Sequence, residues 1–282
     1  MSNGGLAPDL SGVPETLLWP LHARASEARR PDSPFQDPKA IKLVESINYP
    51  FDAKFGYPQQ VLALRELSFD GVVEDFLRRH PAGTVVALAD GLNTQYWRID
   101  NGQSTWLSVD LPDVIDIRRR LLPDPDRLRS VACSALDEQW MDLVDADKPL
   151  LITAQGLFMY LHEADVYGLI RRCAARFRGA SILFDCMPRH FTVSVRGNTL
   201  LNTFFMPGKQ KGAGAYKFPP MPWSSSFESA RARLLAEPDI TGVDFVRMQS
   251  GRGLIYGYGS PVLASIPYLR SLIPWYSLVQ FR

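Results

Sequence analysis

The chain's 282 residues are enough for one large α/β domain, with or without an added lid. Charged residues make up 22% and the formal net charge is +1, which argues against general binding to nucleic acid. Hydrophobic residues at 46% argue against a disordered chain and predict a sizeable core.

The sequence indicates no metal site, disulfide or membrane segment. Cys133, Cys173 and Cys186 are far apart, as expected for buried, reduced thiols of a cytoplasmic protein, and the four scattered histidines lack metal-binding spacing. The N-terminal run TLLWPL is too short for a signal peptide, and no apolar run approaches the length of a bilayer span. We therefore expect a soluble, cytoplasmic protein that binds no metal and no membrane.

Residues 1–80 predict an N-terminal helical extension or lid without strands. Apolar residues recur three and four apart in ETLLWPLHARASEARR and LRELSFDGVVEDFLRRH, which is the spacing of an amphipathic helix. A third helix, DPKAIKLVESI, is expected to begin with Asp37 as N-cap and Pro38 at the first helical position.

Residues 81–282 predict a Rossmann-like domain, in which short apolar runs alternate with helices. Five runs are expected to be strands: residues 84–89, 104–110, 129–135, 149–155 and 180–186. Helices are expected between several of them, notably LPDVIDIRRRLL and EADVYGLIRRCAARF. Such alternation is typical of a parallel sheet covered on both faces, with ligands bound beyond the carboxyl ends of the strands.

The stretch at about 187–226 predicts a substrate-lid insertion rather than a solvated loop. It is rich in Pro and Gly but carries large apolar side chains, among them Phe204, Phe205 and Trp223, which we expect to contact the substrate. The tail, with TGVDFVRMQ and LVQFR, is expected to supply one or two closing strands.

The turn after the first strand argues against a phosphate-containing cofactor. It reads Ala89-Asp90-Gly91-Leu92-Asn93-Thr94, with one of the three glycines of a dinucleotide fingerprint. A carboxylate close to a phosphate is unfavourable, whereas S-adenosylmethionine carries a sulfonium and an ammonium and no phosphate. The alternative for Asp90 is a plain turn or N-cap residue.

Two further acids follow strands. Asp110 ends the second run, where a carboxylate can accept hydrogen bonds from ribose hydroxyls. Asp137, after the third run, could reach the adenine edge of a nucleoside. For both residues the alternative is a helix cap, so they support nucleoside binding without choosing between S-adenosylmethionine and NAD.

Four segments, GVPETLLWPLHARASEARRPDSPFQDPKA, VVALADGLNTQYWRIDNGQSTWLSVDLPDVIDIRRRLLP, ACSALDEQW and ITAQGLFMYL, resemble the leucine carboxyl methyltransferase family. Within that family they are similar to the bacterial polyketide O-methyltransferase-like branch, typified by the tetracenomycin carboxyl-methylating enzyme. The resemblance covers about residue 10 to Asp185 in order, and the remainder more loosely. It implies a class I methyltransferase fold, a mostly parallel seven-stranded sheet with an antiparallel last strand and an N-terminal helical lid.

The resemblance also implies site residues. The first turn would approach the methionine part of S-adenosylmethionine, Asp110 its ribose, and Ala135, Leu136 and Asp137 its adenine. Arg65 is similar to a family arginine that pairs with the cofactor carboxylate, although it could be a surface helix charge.

Tyr160 is similar to a family tyrosine near the cofactor or substrate, although it could be a core residue. It and His162 are the catalytic candidates of this region, and His190 is a further histidine that could act as a base.

The sequence departs from the family pattern at several positions. The family's first motif, G-A/C-G-L-D-T-R, has Ala89, Asn93 and Gln95 here in place of its first glycine, its aspartate and its arginine. The glutamate of the family's AEGxxMY motif is Gln155, a further cofactor-binding candidate.

Three functions remain open from the sequence. The first is S-adenosylmethionine-dependent O-methyl transfer to a small apolar carboxylic acid or phenol, which could be polyketide-like. The second is a diverged methyltransferase fold that has lost methyl transfer and serves as a ligand-binding protein or a cofactor-independent enzyme. The third is an NAD-dependent oxidoreductase. The sequence leaves the oligomeric state open.

Overall fold

A seven-stranded sheet forms the centre of the computed structural model, which describes residues 16–56, 60–188, 219–267 and 269–282. Its strands are β1 (Thr84–Leu88), β2 (Thr105–Asp110), β3 (Leu128–Ala132), β4 (Leu150–Ala154), β5 (Ser181–Cys186), β6 (Ile240–Val246) and β7 (Trp275–Phe281). They lie in the order β3-β2-β1-β4-β5-β7-β6, and β7 is antiparallel to both of its neighbours. The expected class I methyltransferase sheet is thus confirmed, including its antiparallel last strand.

Helices flank this sheet along the described chain. They are α1 (Leu18–Ala28), α2 (Pro38–Ser46), α3 (Phe51–Phe55), α4 (Gln60–Arg79), α5 (Gln95–Ile99), α6 (Pro112–Leu121), α7 (Glu163–Arg176), α8 (Phe227–Leu235) and α9 (Ser260–Ser265). Asp37 caps α2 as expected, because its Oδ1 accepts a hydrogen bond from the backbone N–H of Ala40 at 2.9 Å. None of the described helices is long and apolar enough to cross a membrane.

Helices cover both faces of the sheet. On one face α4 packs Phe69 and Val73 against Val85 and Leu151, whose strands are buried over their whole length. On the other face α7 and α8 close a second cluster around Ile152. The alternation of neighbouring strand residues between two clusters is what a doubly covered parallel sheet requires.

The N-terminal helices form a third apolar cluster, in which α1 and α2 pack together beside the first turn after β1. Because α4 also belongs to the sheet's own core, the N-terminal extension is anchored by a long shared helix. The division into residues 1–80 and 81–282 stays a prediction.

The sequence-based element bounds differ from the structure mainly at β3, which ends at Ala132 rather than near residue 135. There the chain turns, and the Asp137 carboxylate accepts a hydrogen bond from the backbone N–H of Ser134 at 3.1 Å. The tail supplies both closing strands, and α8 was not anticipated. Most of the expected lid insertion, residues 189–218, lies outside the described residues.

Candidate active site

A cavity of about 640 Å³ opens beyond the carboxyl ends of β1, β2 and β4. This is the edge at which ligands of doubly wound sheets bind, and the volume falls within the range of small-molecule pockets. The wall is completed by Thr16 and Leu17 just before α1, by Trp19 in its first turn and by Leu62 of α4. The N-terminal extension is therefore part of the cavity.

Eight of the nine residues expected to bind a cofactor line this cavity. They are Arg65, Ala89, Asp90, Gly91, Asp110, Ala135, Leu136 and Gln155. The ninth, Asp137, is exposed and is not among the lining residues; it closes the turn after β3 through Ser134, which does line the cavity. Contact between these residues and a cofactor stays a prediction.

The turn after β1 has an unusual backbone. Ala89 and Gly91 both have positive φ, 53° and 52° respectively. A Cβ at Gly91 would lie 2.7 Å from Leu17 Cδ2, closer than side chains approach one another. Glycine is required here both by the backbone conformation and by the close approach of α1.

Asp90 lines the cavity and forms an ion pair with an arginine. Its Oδ2 lies 3.0 Å from the Arg118 guanidinium of α6, and both side chains are almost fully buried. Arg118 also donates hydrogen bonds to the carbonyls of Gly91 and Asn93, at 2.7 and 3.1 Å. This corrects the sequence argument, which treated the Asp90 carboxylate as free to face a cationic ligand: its charge is compensated by an arginine 28 residues further along.

Asp110, at the end of β2, holds the same turn from the other side. Its Oδ2 accepts the backbone N–H of Gly91 at 2.7 Å, and its Oδ1 accepts that of Leu111 at 2.8 Å. Burial raises its pKa to about 6, although the two backbone donors act in the opposite direction. Each carboxylate oxygen retains a second lone pair, so the group can still accept a hydrogen bond from a hydroxyl.

Arg65 and Gly156 both form hydrogen bonds to Asp185, the acidic residue of β5. Asp185 Oδ2 accepts Arg65 Nη1 at 3.1 Å, and its Oδ1 accepts the backbone N–H of Gly156 at 2.6 Å. Gly156 has a φ of +69°, and a Cβ there would lie 3.2 Å from Arg65 Nη1. Arg65 is thus held against the cavity instead of being a surface helix charge.

A buried carboxylate, Glu66, lies next to Arg65 on α4 and also lines the cavity. Its Oε1 accepts Arg24 Nη1 at 3.3 Å and Gln155 Nε2 at 2.7 Å, while its Oε2 accepts Arg98 Nη2 at 2.7 Å. Four elements, α1, α4, α5 and the end of β4, meet at this one side chain.

Arg98 extends these contacts into a network that ties the N-terminal helices to the first turn. Besides Glu66 it pairs with Asp37 at 2.9 Å and with Asp70 at 2.8 Å, and its side chain is 6% exposed. Gln95, which replaces a family arginine, donates to Asp70 Oδ1 at 2.8 Å. Arg98 therefore supplies the positive charge that faces Asp70.

Much of the cavity lining is apolar. Its lining includes Trp19, Leu62 and the methionines Met159, Met187 and Met221. Methionine is flexible and polarisable and adapts to flat or irregular apolar groups. Such a lining fits an apolar molecule.

The two catalytic candidates of the described region, Tyr160 and His162, both line the cavity. Burial raises the pKa of Tyr160 to about 12, so its hydroxyl is a neutral donor near pH 7. His162 is exposed and lies just before α7. His190 lies outside the described residues.

Of the three expected substrate residues, Phe204 and Phe205 also lie outside the described residues. Trp223 is only 3% exposed, and it packs edge-on against Phe158 and Tyr167 in the core rather than lining the cavity. Its neighbour Pro222 does line the cavity. As a large aromatic residue in a Pro-rich segment Trp223 resembled a pocket residue, but it anchors the segment's end to the sheet.

Two cavity-lining residues each carry a buried polar atom without a partner in the described ranges. Arg65 Nε is a buried donor and Gln155 Oε1 a buried acceptor, and neither has a hydrogen-bond partner within the described chain. A carboxylate and an ammonium would satisfy one each. No group of His, Cys, Asp or Glu suited to a metal ion occurs among the described residues.

Sequence reasoning missed Glu66, Arg24, Arg98 and Asp185 as site residues. Asp185 could have been found, because it follows an apolar run in SILFDC as Asp110 follows TWLSV. Glu66 had a weaker signal, a charged Arg-Glu pair flanked by apolar residues in VLALRELSF. The two other arginines had none that separates them from surface charges.

Comparisons with known proteins agree with this geometry. The model of the leucine carboxyl methyltransferase family matches residues 18–174. The tetracenomycin polyketide synthesis O-methyltransferase TcmP of Streptomyces glaucescens is 35% identical over 181 residues, which cover 63% of this chain and 67% of the relative. The S-adenosyl-L-methionine-dependent methyltransferase dpfgK of Gibberella zeae is 30% identical over 194 residues, 61% of this chain and 64% of the relative.

A solved structure, that of a DUF574 family protein from Streptomyces avermitilis, shares the fold. It is 10% identical in sequence with a TM-score of 0.52, and the match covers 92% of this chain and 96% of that chain. The matches to the two relatives span about two thirds of their lengths.

Proposed function

Because the chain belongs to the leucine carboxyl methyltransferase family, we propose that it methylates an oxygen of a small apolar carboxylic acid or phenol. The chain is a transferase, and S-adenosylmethionine is its cofactor. A polyketide-like skeleton is the proposed acceptor class, in keeping with the name of the relative TcmP.

The mixed polar and apolar lining of the cavity is the observation that carries this proposal. Arg65 and Gln155 offer polar groups for the charged amino-acid part of the cofactor, and Trp19 and the methionines offer apolar surface for an acceptor. Binding of both reactants in one cavity converts an encounter in solution into a reaction between oriented groups.

Bound S-adenosylmethionine supplies an electrophilic methyl group on a sulfonium. The protein's contribution is to hold the acceptor oxygen in line with that methyl at roughly 3–3.5 Å and to exclude water. Arg65 and Gln155 would hold the amino-acid part, Asp110 would accept hydrogen bonds from the ribose hydroxyls, and the apolar lining residues would keep competing water from the methyl group.

We propose that a carboxylic acid is preferred to a phenol as the acceptor. A carboxylate is ionised at neutral pH and needs no base, whereas a phenol gains from one. The buried Tyr160 stays protonated, with a pKa of about 12, and His162 lines the cavity but is exposed. We therefore expect aromatic or alicyclic acids to react faster than phenols of the same skeleton.

The test is a turnover assay with matched acceptors, for example a naphthoic acid and the naphthol of the same ring system. S-adenosylhomocysteine and the methylated product are quantified by mass spectrometry. Ester formation from the acid, at a higher rate than ether formation from the naphthol, supports the proposal. Cofactor binding without methylation of any apolar acid or phenol in a broad panel would contradict it.

We also propose that residues 1–80 act as a lid and that the protein works in the cytoplasm. The lid is supported by Leu17 and Trp19, which wall the cavity. The location is supported by the three cysteines, which are all free and buried, as is typical of reducing compartments.

A further inference from the structure

The amide of Gln155 is oriented by Glu66. An ionised carboxylate can only accept hydrogen bonds, so the group that faces it must be the amide NH₂ of Gln155. Gln155 Nε2 indeed donates to Glu66 Oε1 at 2.7 Å. The carbonyl oxygen of the same amide is therefore turned away from Glu66.

Glu66 stays ionised in its buried position, with 1% of its surface exposed. Burial by itself would raise its pKa, but Arg24, Arg98 and Arg65 outweigh that effect and lower it. The charge is thus stable over the working range of pH, and the orientation that it imposes on Gln155 is stable with it.

In this orientation the amide oxygen of Gln155 is a hydrogen-bond acceptor without a donor among the described residues. Gln155 Oε1 is buried and has no hydrogen-bond partner in the described part of the chain, although Gln155 lines the cavity. Buried acceptors without a partner are rare in folded proteins, and a ligand that brings an N–H donor removes the deficit.

The backbone at this position is fixed as well. The next residue, Gly156, donates its N–H to Asp185 at 2.6 Å, and Asp185 also holds Arg65. Asp185 therefore links the backbone next to Gln155 with the guanidinium of Arg65. This link suits a ligand that bears an ammonium and a carboxylate on one carbon.

We infer that Glu66 is a positioning residue, which holds the Gln155 amide so that its carbonyl oxygen accepts the ammonium of S-adenosylmethionine. The inference rests on the proposed use of this cavity for methyl transfer. It explains why a neutral side chain at position 155 is suitable here: a carboxylate in its place would lie at hydrogen-bond distance from Glu66, and two ionised carboxylates repel each other.

A charge exchange tests the inference. Gln155→Glu, Glu66→Gln and the double variant are compared with the wild type by titration calorimetry with S-adenosylhomocysteine, which retains the amino-acid part. 5′-Methylthioadenosine, which lacks that part, is the control ligand for the rest of the site. Thermal melting of each variant without ligand shows that it is folded.

We expect Gln155→Glu to weaken the binding of S-adenosylhomocysteine about tenfold or more and to leave that of 5′-methylthioadenosine unchanged. In the double variant the amide introduced at position 66 can donate to the carboxylate introduced at position 155, so affinity should return to within about threefold of the wild type. Glu66→Gln alone frees the amide of Gln155 to rotate and should give an intermediate loss.

The inference is overturned if Gln155→Glu binds S-adenosylhomocysteine as well as the wild type, or if the folded double variant does not recover. Should Gln155→Glu not fold, Gln155→Met, which is neutral and similar in size, replaces it. Unchanged affinity of Gln155→Met would equally defeat the inference. A wild type that binds S-adenosylhomocysteine but methylates no acceptor would defeat the proposed function alone.

Discussion

The guanidinium of Arg118 lies 3.0 Å from the carboxylate of Asp90 and donates to the carbonyl of Gly91 at 2.7 Å. One side chain from α6 thus neutralises the acid of the first turn and holds the turn's backbone. The turn is kept in shape by α6 from one side and by Asp110 of β2 from the other.

Replacement of Arg118 by methionine should therefore destabilise the protein strongly. It leaves Asp90 as an unpaired buried charge, which typically costs about 3–5 kcal/mol. Urea denaturation followed by tryptophan fluorescence measures the loss. Arg78→Met is the matched control, because Arg78 pairs with Asp75 on the surface and should cost less than about 1 kcal/mol. Similar losses in both variants would contradict the role of Arg118.

Even the replacement of Arg98 by lysine should destabilise the protein. It reaches Asp37, Glu66 and Asp70 through three nitrogens, and a single ammonium cannot reproduce that planar arrangement. We expect Arg98→Lys to lose about 2 kcal/mol or more of unfolding free energy in urea denaturation. Arg29→Lys, at the exposed pair with Glu45, is the control and should change stability by less than about 0.5 kcal/mol. An equally small loss of unfolding free energy in Arg98→Lys would show that the network does not stabilise the fold.

Gly91→Ala should cost more than Gly179→Ala, although both glycines have positive φ. At Gly179 nothing lies within 4 Å of an added Cβ, so only the backbone strain of about 1 kcal/mol is expected. At Gly91 the new methyl would also displace Leu17, which approaches its position to 2.7 Å and lines the cavity. Chemical denaturation and titration with S-adenosylhomocysteine should show a larger loss of stability and weaker binding for Gly91→Ala only. Equal effects of the two substitutions would contradict the close approach.

Cofactor affinity should rise as pH increases through about 6. Burial raises the pKa of Asp110 to about 6, and its ionised form is the stronger acceptor for ribose hydroxyls. Between pH 7 and pH 5 the ionised fraction falls about tenfold, so the dissociation constant of S-adenosylhomocysteine should rise by about that factor. Calorimetry across this range in the wild type and in Asp110→Asn checks it. A slope that survives in Asp110→Asn would assign the effect to another group.

The stability of the ligand-free protein should change in the opposite direction over the same range. The folded-state pKa of Asp110 lies above its ordinary value of 3.8, so the folded protein holds the proton more tightly than the unfolded chain. Its contribution is fully present below about pH 4 and is lost as pH rises through about 6. Urea denaturation at pH 4.5 and 7 should show this loss in the wild type and not in Asp110→Asn.

Local sequence patterns predicted the positions of the strands and where their ends meet. Alternation of apolar runs and helices located β1 to β5 within one to three residues, and the strand-end rule led to Asp110 and Gln155. The rule works because parallel strands deliver their carboxyl ends to one edge. Asp137 is not among the lining residues, because β3 ends earlier and the Asp137 side chain closes the turn through Ser134.

Partners of the site residues could not be predicted in the same way. Asp90 meets Arg118 across 28 residues, and Glu66 meets Gln155 across 89. A charged residue on a helix looks the same in sequence whether it faces solvent or a buried carboxylate. Glu66 and Arg98 were therefore missed, while Trp223 was assigned to a pocket although it packs in the core.

The sequence by itself determined the class of sheet, the edge at which a ligand would bind and the family to which the chain belongs, because these follow from periodic burial and from motifs that are contiguous along the chain. Only the tertiary structure decided which charges are compensated and which polar atoms are left to a ligand. Hydrogen bonds and ion pairs act over about 3 Å, and the groups that come this close in the site lie on separate helices and strands that only folding brings together.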